Sequence, residues 1–239
     1  MTTAITRRGC FVTGTDTGVG KTAISATLLH WFGLQGWRSA GLKPVACGME
    51  QIHGRWANTD VLALQRASSL PLREDEVGPC QFNAACAPHI AAQLEGRSID
   101  VAPLLAAAHT LAGRADALVV EGVGGFAVPL NAQHDTADLA QALGLPVVLV
   151  VGLRLGCLNH ALLTAQSIQA RGLRLAGWVA NTVDSAMPWL GDNVATLREW
   201  LGRRYGAVEL GYVPRLDEAQ PERVLPHLRD DALRRVFDA

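Results

Sequence analysis

Lysine is almost missing from this sequence. Of its 21 basic residues only two, Lys21 and Lys43, are lysines, and the rest are arginines. A charge imbalance is missing too, since 22 acidic side chains leave a net charge of -1. No basic patch or stripe stands out, which excludes the electrostatic footprint of a nucleic-acid binder. Nor is there a concentrated basic tail that would seek an anionic membrane. The five cysteines, Cys10, Cys47, Cys80, Cys86 and Cys157, contain no C-x-x-C. Their odd count and scattered spacing exclude a zinc ribbon and point to a reduced, cytoplasmic protein. No uninterrupted apolar run is long enough to span a bilayer. MTTAITRRG carries two arginines with no export-signal core behind them. Internal repeats, low-complexity tracts and linkers are absent as well.

What is present is a core. Hydrophobic residues make up 49% of 239, a length that fits one large domain or two small ones. Apolar β-branched runs alternate with alanine- and leucine-rich stretches of helical character. CFVTG, RSAGLKPV, DALVVEG, PVVLVVG, LAGWVAN and AVELGYVP read as strands. Several are apolar throughout, as strands buried on both faces are. Such alternation predicts an α/β fold: a doubly wound, mainly parallel sheet with helices on both faces. The whole chain, 1–239, is expected to be a single nucleotide-binding domain. The less periodic segment from about Gly48 to Pro103 is expected to be an insertion around the site.

The stretch GTDTGVGKT, Gly14 to Thr22, looks like a phosphate loop one residue too long. The usual signature has four residues between its first glycine and Gly-Lys-Ser/Thr. Here the fifth place before Gly20 is Thr15, and Gly14 lies one further out. The surrounding strand, turn and helix still fit a P-loop NTPase. Gly14, Gly18 and Gly20 free backbone N–H groups for an anion, and the helix behind them adds its dipole. Lys21 is placed to reach the terminal phosphates, and Thr22 to ligate Mg²⁺. Thr15, Asp16 and Thr17 are expected to face a second ligand beside the γ-phosphate of ATP.

Other residues join this loop by position. Glu121 ends an apolar strand, where ligands of open α/β sheets bind; with Thr22 it suits Mg²⁺, a hard cation. Gly122 and Gly124 let backbone approach there. Asp60 fits either a metal ligand or a helix-start carboxylate. Lys43 also sits at a strand end, where an ammonium can neutralise a transferring phosphoryl group. Gly156, Cys157 and Asn159 would open a helix: either an anion site or an ordinary cap at Asn159. Asn181 fits an adenine-reading amide or a turn asparagine.

Together FVTGTDTGVGKT, AGLKPVACG, NTDVLALQ, APHIAAQLEG, VVEGVGG, LPVVLVVGLRLGCLNHALLTAQSI and LAGWVAN resemble the dethiobiotin synthetase family of biotin biosynthesis. The resemblance runs over most of the chain. It implies an ATP-dependent ligase that closes a cyclic urea on 7,8-diaminopelargonic acid and CO₂, through a carbamate and a carbamic-phosphoric anhydride. Carried over residue by residue, it assigns ATP binding to Thr15, Asp16, Gly18, Val19, Gly20, Lys21 and Thr22, and to Asp60, Glu121, Gly122, Val123 and Gly124. It gives Mg²⁺ to Thr22, Asp60 and Glu121. Lys21, Lys43 and Thr17 become catalytic, and Thr17, Lys43, Cys47 and Gly124 lie near the diamine. Asn181, Thr182, Val213, Pro214, Arg215 and Glu222 fall on the adenosine side. Gly156, Cys157 and Asn159 would come from the second subunit of a homodimer and hold the substrate carboxylate. Three positions depart from the pattern: Cys47 replaces a common serine, Gly18 a frequent acid, and Thr182 an aspartate. The rival reading is a regulatory ATPase or GTPase switch of the partitioning kind. Those proteins carry an early lysine in a KGG-x-GK loop, which is absent here.

Overall fold

The computed structural model describes residues 8–52 and 54–238. Of MTTAITRRG, read above for an export signal, all but Arg8 and Gly9 lies outside them. The chain begins with β1 (Arg8–Gly14), the phosphate loop and α1 (Lys21–Leu34), then β2 (Ser39–Leu42). The insertion holds β3 (Val45–Cys47), β4 (Glu50–Ile52), β5 (Arg55–Ala57), α2 (Thr59–Ala67), α3 (Glu74–Val77), β6 (Cys80–Phe82) and α4 (Pro88–Leu94). Next come α5 (Val101–Ala112), β7 (Ala117–Glu121), α6 (Thr136–Leu143), β8 (Val147–Leu153) and α7 (Cys157–Ala170). The chain closes with β9 (Leu175–Thr182), α8 (Leu190–Tyr205), β10 (Val208–Val213), α9 (Pro221–Val224), a short 3₁₀ turn and α10 (Asp230–Phe237).

Six strands form the central sheet in the order β10-β9-β8-β1-β7-β2, and every pairing in it is parallel. The chain leaves β1 in one direction, to β2, and after β7 turns the other way, to β8. Right-handed crossovers then put α1 on one face and α5 to α8 on the other. This doubly wound arrangement reverses direction beside β1, where open α/β sheets bind ligands. The phosphate loop follows β1, so it opens at that crevice. β1, β7 and β8 are buried almost throughout, which is why they read as continuous apolar runs.

Three sequence expectations change. RSAGLKPV is not one strand. Pro44 lacks an N–H, so the chain leaves the main sheet after Leu42 and pairs β3 with β6 in a small second sheet. The helix expected to be capped by Asn159 starts three residues earlier, with Gly156 as its cap. Gly156, at φ 94°, makes the left-handed turn that begins α7, and Asn159 lies exposed in the first turn. The run VATLREWLGRRYG, which reads as a helix from Val194, likewise starts earlier, at Leu190 of α8. The α2 start follows the sequence: Asn58 accepts the N–H groups of Asp60 and Val61.

The last helix has an apolar face, Ala232, Leu233, Val236 and Phe237, and that face is buried. Phe237 packs on Trp31 and Phe32, and the Trp31 indole donates to Asp230 at 2.8 Å. It is therefore not free to lie on a membrane. Among the described residues no helix is long and apolar enough to cross one.

Candidate nucleotide site

Gly20 starts α1 in the left-handed region, at φ 93°. A Cβ there would lie 2.3 Å from Asn181 Nδ2, so only glycine lets the loop pass so close to β9. The extra length of the loop also gains an account. Thr15 turns away from the crevice, where its Oγ1 accepts the Gly152 N–H at 3.2 Å and its own N–H donates to Val150 at 3.0 Å. It fastens the loop to β8, contrary to the expectation that it faces a second ligand. Val19 is buried between Gly14 and Gly152 and anchors the far arm. Asp16, Thr17 and Gly18 remain on the wall of a cavity of about 790 Å³.

The two lysines of the chain meet in that cavity with two carboxylates. Lys43 Nζ lies 2.6 Å from Glu121 Oε1, 3.0 Å from Asp60 Oδ2 and 3.1 Å from the Gly122 carbonyl. The Thr22 hydroxyl lies 2.8 Å from both Asp60 Oδ1 and Glu121 Oε1. One hydroxyl hydrogen serves only one of those oxygens, and Glu121 Oε2 is buried with no partner. Buried polar atoms are normally satisfied. Thr22, Asp60 and Glu121 therefore present hard oxygen donors with unmet capacity, and they fit Mg²⁺. No group of three or more His, Cys, Asp or Glu side chains suited to a metal occurs among the described residues. A metal here would thus share these oxygens with the nucleotide.

Burial opposes the Lys43 charge, but Glu121 and Asp60 outweigh it and hold the pKa above the usual lysine range. Burial likewise opposes the Asp60 charge, and Lys43 more than offsets this, so its pKa falls below the usual carboxylate range. Lys21 behaves differently. Burial, aided by the Lys43 charge, lowers it to about 8. Its ammonium rests on the Asp16 carbonyl at 2.9 Å.

The same cavity is lined by Cys47, Val123 and Gly124. Burial pushes the Cys47 thiol up to about 11. Residues 85–88 form another wall, which the sequence reading left without a role. The only signal was APHIAAQLEG, whose Pro88 opens α4.

Asn181, Thr182, Val213, Pro214 and Arg215 line a second, smaller cavity of about 170 Å³, reached past Gly18 and Gly20. Glu222 is not brought there. It lines a different cavity of about 580 Å³, near Arg66, and faces His30 Nδ1 at 3.9 Å. Gly156, Cys157 and Asn159 are also outside both the first two cavities. The Cys157 side chain is buried in the core, and Gly156 and Asn159 are exposed.

This fold and loop define a phosphate-loop nucleotide-binding protein, and ATP binding is what they support. A family model described as AAA domain matches residues 8–223, and the chain belongs to that family. Two solved structures from Aquifex aeolicus are similar. One is the MinC:MinD cell division protein complex, at 14% identity and TM-score 0.55, covering 95% of each chain. The other is the MinD cell division protein, at 15% identity and TM-score 0.52, covering 95% of this chain and 96% of that one. At such identities the likeness is one of fold.

Proposed function

We propose that the protein, working as one nucleotide-binding unit over its whole length, is a dethiobiotin synthase. It would use ATP, with Mg²⁺, to convert 7,8-diaminopelargonic acid and CO₂ into a cyclic urea. The observation that carries this reading is the meeting of Lys21, Lys43, Asp60, Glu121 and Thr22 in one cavity. The AAA domain family includes phosphate-loop domains of this synthase type, which supports it further.

The chemistry follows from charge. In this reading a carbamate formed on one amine attacks the γ-phosphate, and ADP leaves. The second amine then attacks the carbamate carbon, and phosphate leaves with the anhydride oxygen. Negative charge accumulates at the transferring phosphoryl group, and preorganised cations in a water-poor site stabilise it strongly. Lys43, held charged by two carboxylates, would meet that group, and Lys21 lines the same cavity. Mg²⁺, when bound, would supply further charge neutralisation at the phosphates. Thr17, Cys47, Gly124 and the 85–88 wall would surround the diamine. A homodimer would bring the partner's copy of the Gly156–Asn159 segment to the substrate carboxylate. The exposure of Gly156 and Asn159 in one protomer, beside Leu155 at 90%, is consistent with that.

The switch reading finds less support. Asp16 stands four residues before Gly20, the place of the early lysine in a KGG-x-GK loop, and the apolar face of α10 is buried. The test is phosphate release from ATP with Mg²⁺ and bicarbonate, with and without the diamine, and product mass for the cyclic urea. Turnover is expected only with the diamine, and is expected to vanish in Lys43→Ala. Turnover indifferent to the diamine would sink the synthase reading and favour the switch.

A further inference from the structure

Asp16 is an acid in a loop built to hold an anion. It lines the large cavity beside Thr17 and Lys21. A bare carboxylate there repels phosphate oxygens. The compensating cation comes from elsewhere: Arg154, in the turn between β8 and α7, donates to Asp16 Oδ2 in an ion pair. The other carboxylate oxygen accepts the Thr17 N–H at 2.7 Å, and the Asp16 carbonyl accepts Lys21 Nζ at 2.9 Å. Two functional groups of the loop therefore converge on the residue that Arg154 grips. Thr15, next to it, is fastened to β8 at Gly152, so both attachments of the lengthened arm run to the β8 end.

We propose that Arg154 is a positioning residue for the nucleotide site. It cancels the Asp16 charge and holds the loop with Thr17 and Lys21 aimed at the phosphates, without itself lining the cavity. The proposal rests on the nucleotide reading of this cavity and not on the ring-closing reaction. A KGG-x-GK loop carries its cation at the place of Asp16; this chain carries an acid there and brings the cation from a neighbouring turn. The side chains are 41% and 48% exposed. Exposed pairs contribute little to folding, so the effect is confined to the loop.

The experiment is calorimetric titration of the full chain with Mg²⁺ and a non-hydrolysable ATP analogue, beside thermal melts. Arg154→Gln is expected to weaken the analogue about tenfold, the scale of one charge-assisted hydrogen bond, with the melting temperature unchanged. Arg154→Lys is expected to recover most of that. Adding Asp16→Asn to Arg154→Gln is expected to restore affinity, because the repelling carboxylate is gone. A scaffold role would not give that rescue. Equal affinity in wild type and Arg154→Gln overturns the proposal, and so does a double variant as weak as the single one. If the wild type fails to bind the analogue, the nucleotide reading and this proposal fall together. Failure of the ring-closing reading shows instead in diamine turnover, which this titration does not involve.

Discussion

At the phosphate end of the crevice, Lys43 lies within 3.0 Å of two carboxylates, and Thr22 lies 2.8 Å from each. At the end proposed for the base, the corresponding resources are one amide, a threonine, Arg215 and an apolar wall, with no carboxylate or lysine among the described residues. Even that amide is half committed, since Asn181 Nδ2 donates to the Val19 carbonyl at 2.8 Å. The first end is an interlocked buried charge cluster, in which each member stabilises the others. The second is a mainly apolar lining with single polar groups that do not interlock. Substitutions should therefore act steeply at one end and gently at the other.

Lys43→Met tests the steep end most severely. It removes the cation held against Glu121 and Asp60, and turnover is expected to fall about a thousandfold, the upper range for one preorganised electrostatic group. It also leaves Glu121 buried and unpaired, which costs about 3–5 kcal/mol, so the melting temperature should fall as well. A variant within tenfold of wild-type turnover would break the contrast. Glu121→Gln keeps the shape and removes the charge. It is expected to lower turnover about a hundredfold and to raise the Mg²⁺ concentration needed for half-maximal rate. An unchanged Mg²⁺ requirement would remove Glu121 from the metal site.

Lys21 gives the same end a pH signature. Its pKa in the folded chain is about 8, below its ordinary value of 10.5. As pH rises through about 8 the free protein loses the ammonium, and affinity for the ATP analogue should drop, by up to about tenfold per pH unit. Stability moves the opposite way. Between about 8 and 10.5 the unfolded chain holds a proton that the folded chain has released, so this group's contribution to stability rises with pH. Lys21→Met should flatten both trends. A binding profile that is flat from pH 7 to 9.5 in the wild type would contradict the assignment.

Much of the steep end was legible in the sequence. A strand, a glycine turn and a helix frame Lys21 and Thr22, and Glu121 and Lys43 stand where strands of a parallel sheet stop. These are local signals, and the sheet order turns them into neighbours. The less legible parts depend on contacts between distant segments. Thr15 reads as a loop polar group until β8 is placed beside it. The 85–88 wall has no local chemistry and reaches the cavity only because β6 pairs with β3. Glu222 follows Pro214 closely in sequence, yet α9 packs on α1 and carries it to the His30 side. Asn159 fits a cap by residue type, but the left-handed backbone of Gly156 is what starts the helix.

The gentlest prediction concerns the base end. Asn181 spends one of its two amide N–H groups on the Val19 carbonyl, which fixes the side chain, and its oxygen is free to meet a base. An oxygen accepts, so it favours bases that present an exocyclic amine, such as the N6 amine of adenine or the N4 amine of cytosine. Uracil carries a carbonyl where cytosine carries that amine. CTP and UTP are thus a matched pair that differs at the group Asn181 would read. The expected outcome is a KM for UTP several-fold above that for CTP, about the value of one net hydrogen bond, with similar kcat. Asn181→Ala should erase this difference and raise the KM for ATP a few-fold, partly because the Val19–Gly20 arm loses its tie to β9. If the variant keeps the CTP preference, base reading belongs to the Thr182–Arg215 wall. If the wild type shows no preference at all, the gentle end does not read the base edge, and its contrast with the phosphate end is sharper still.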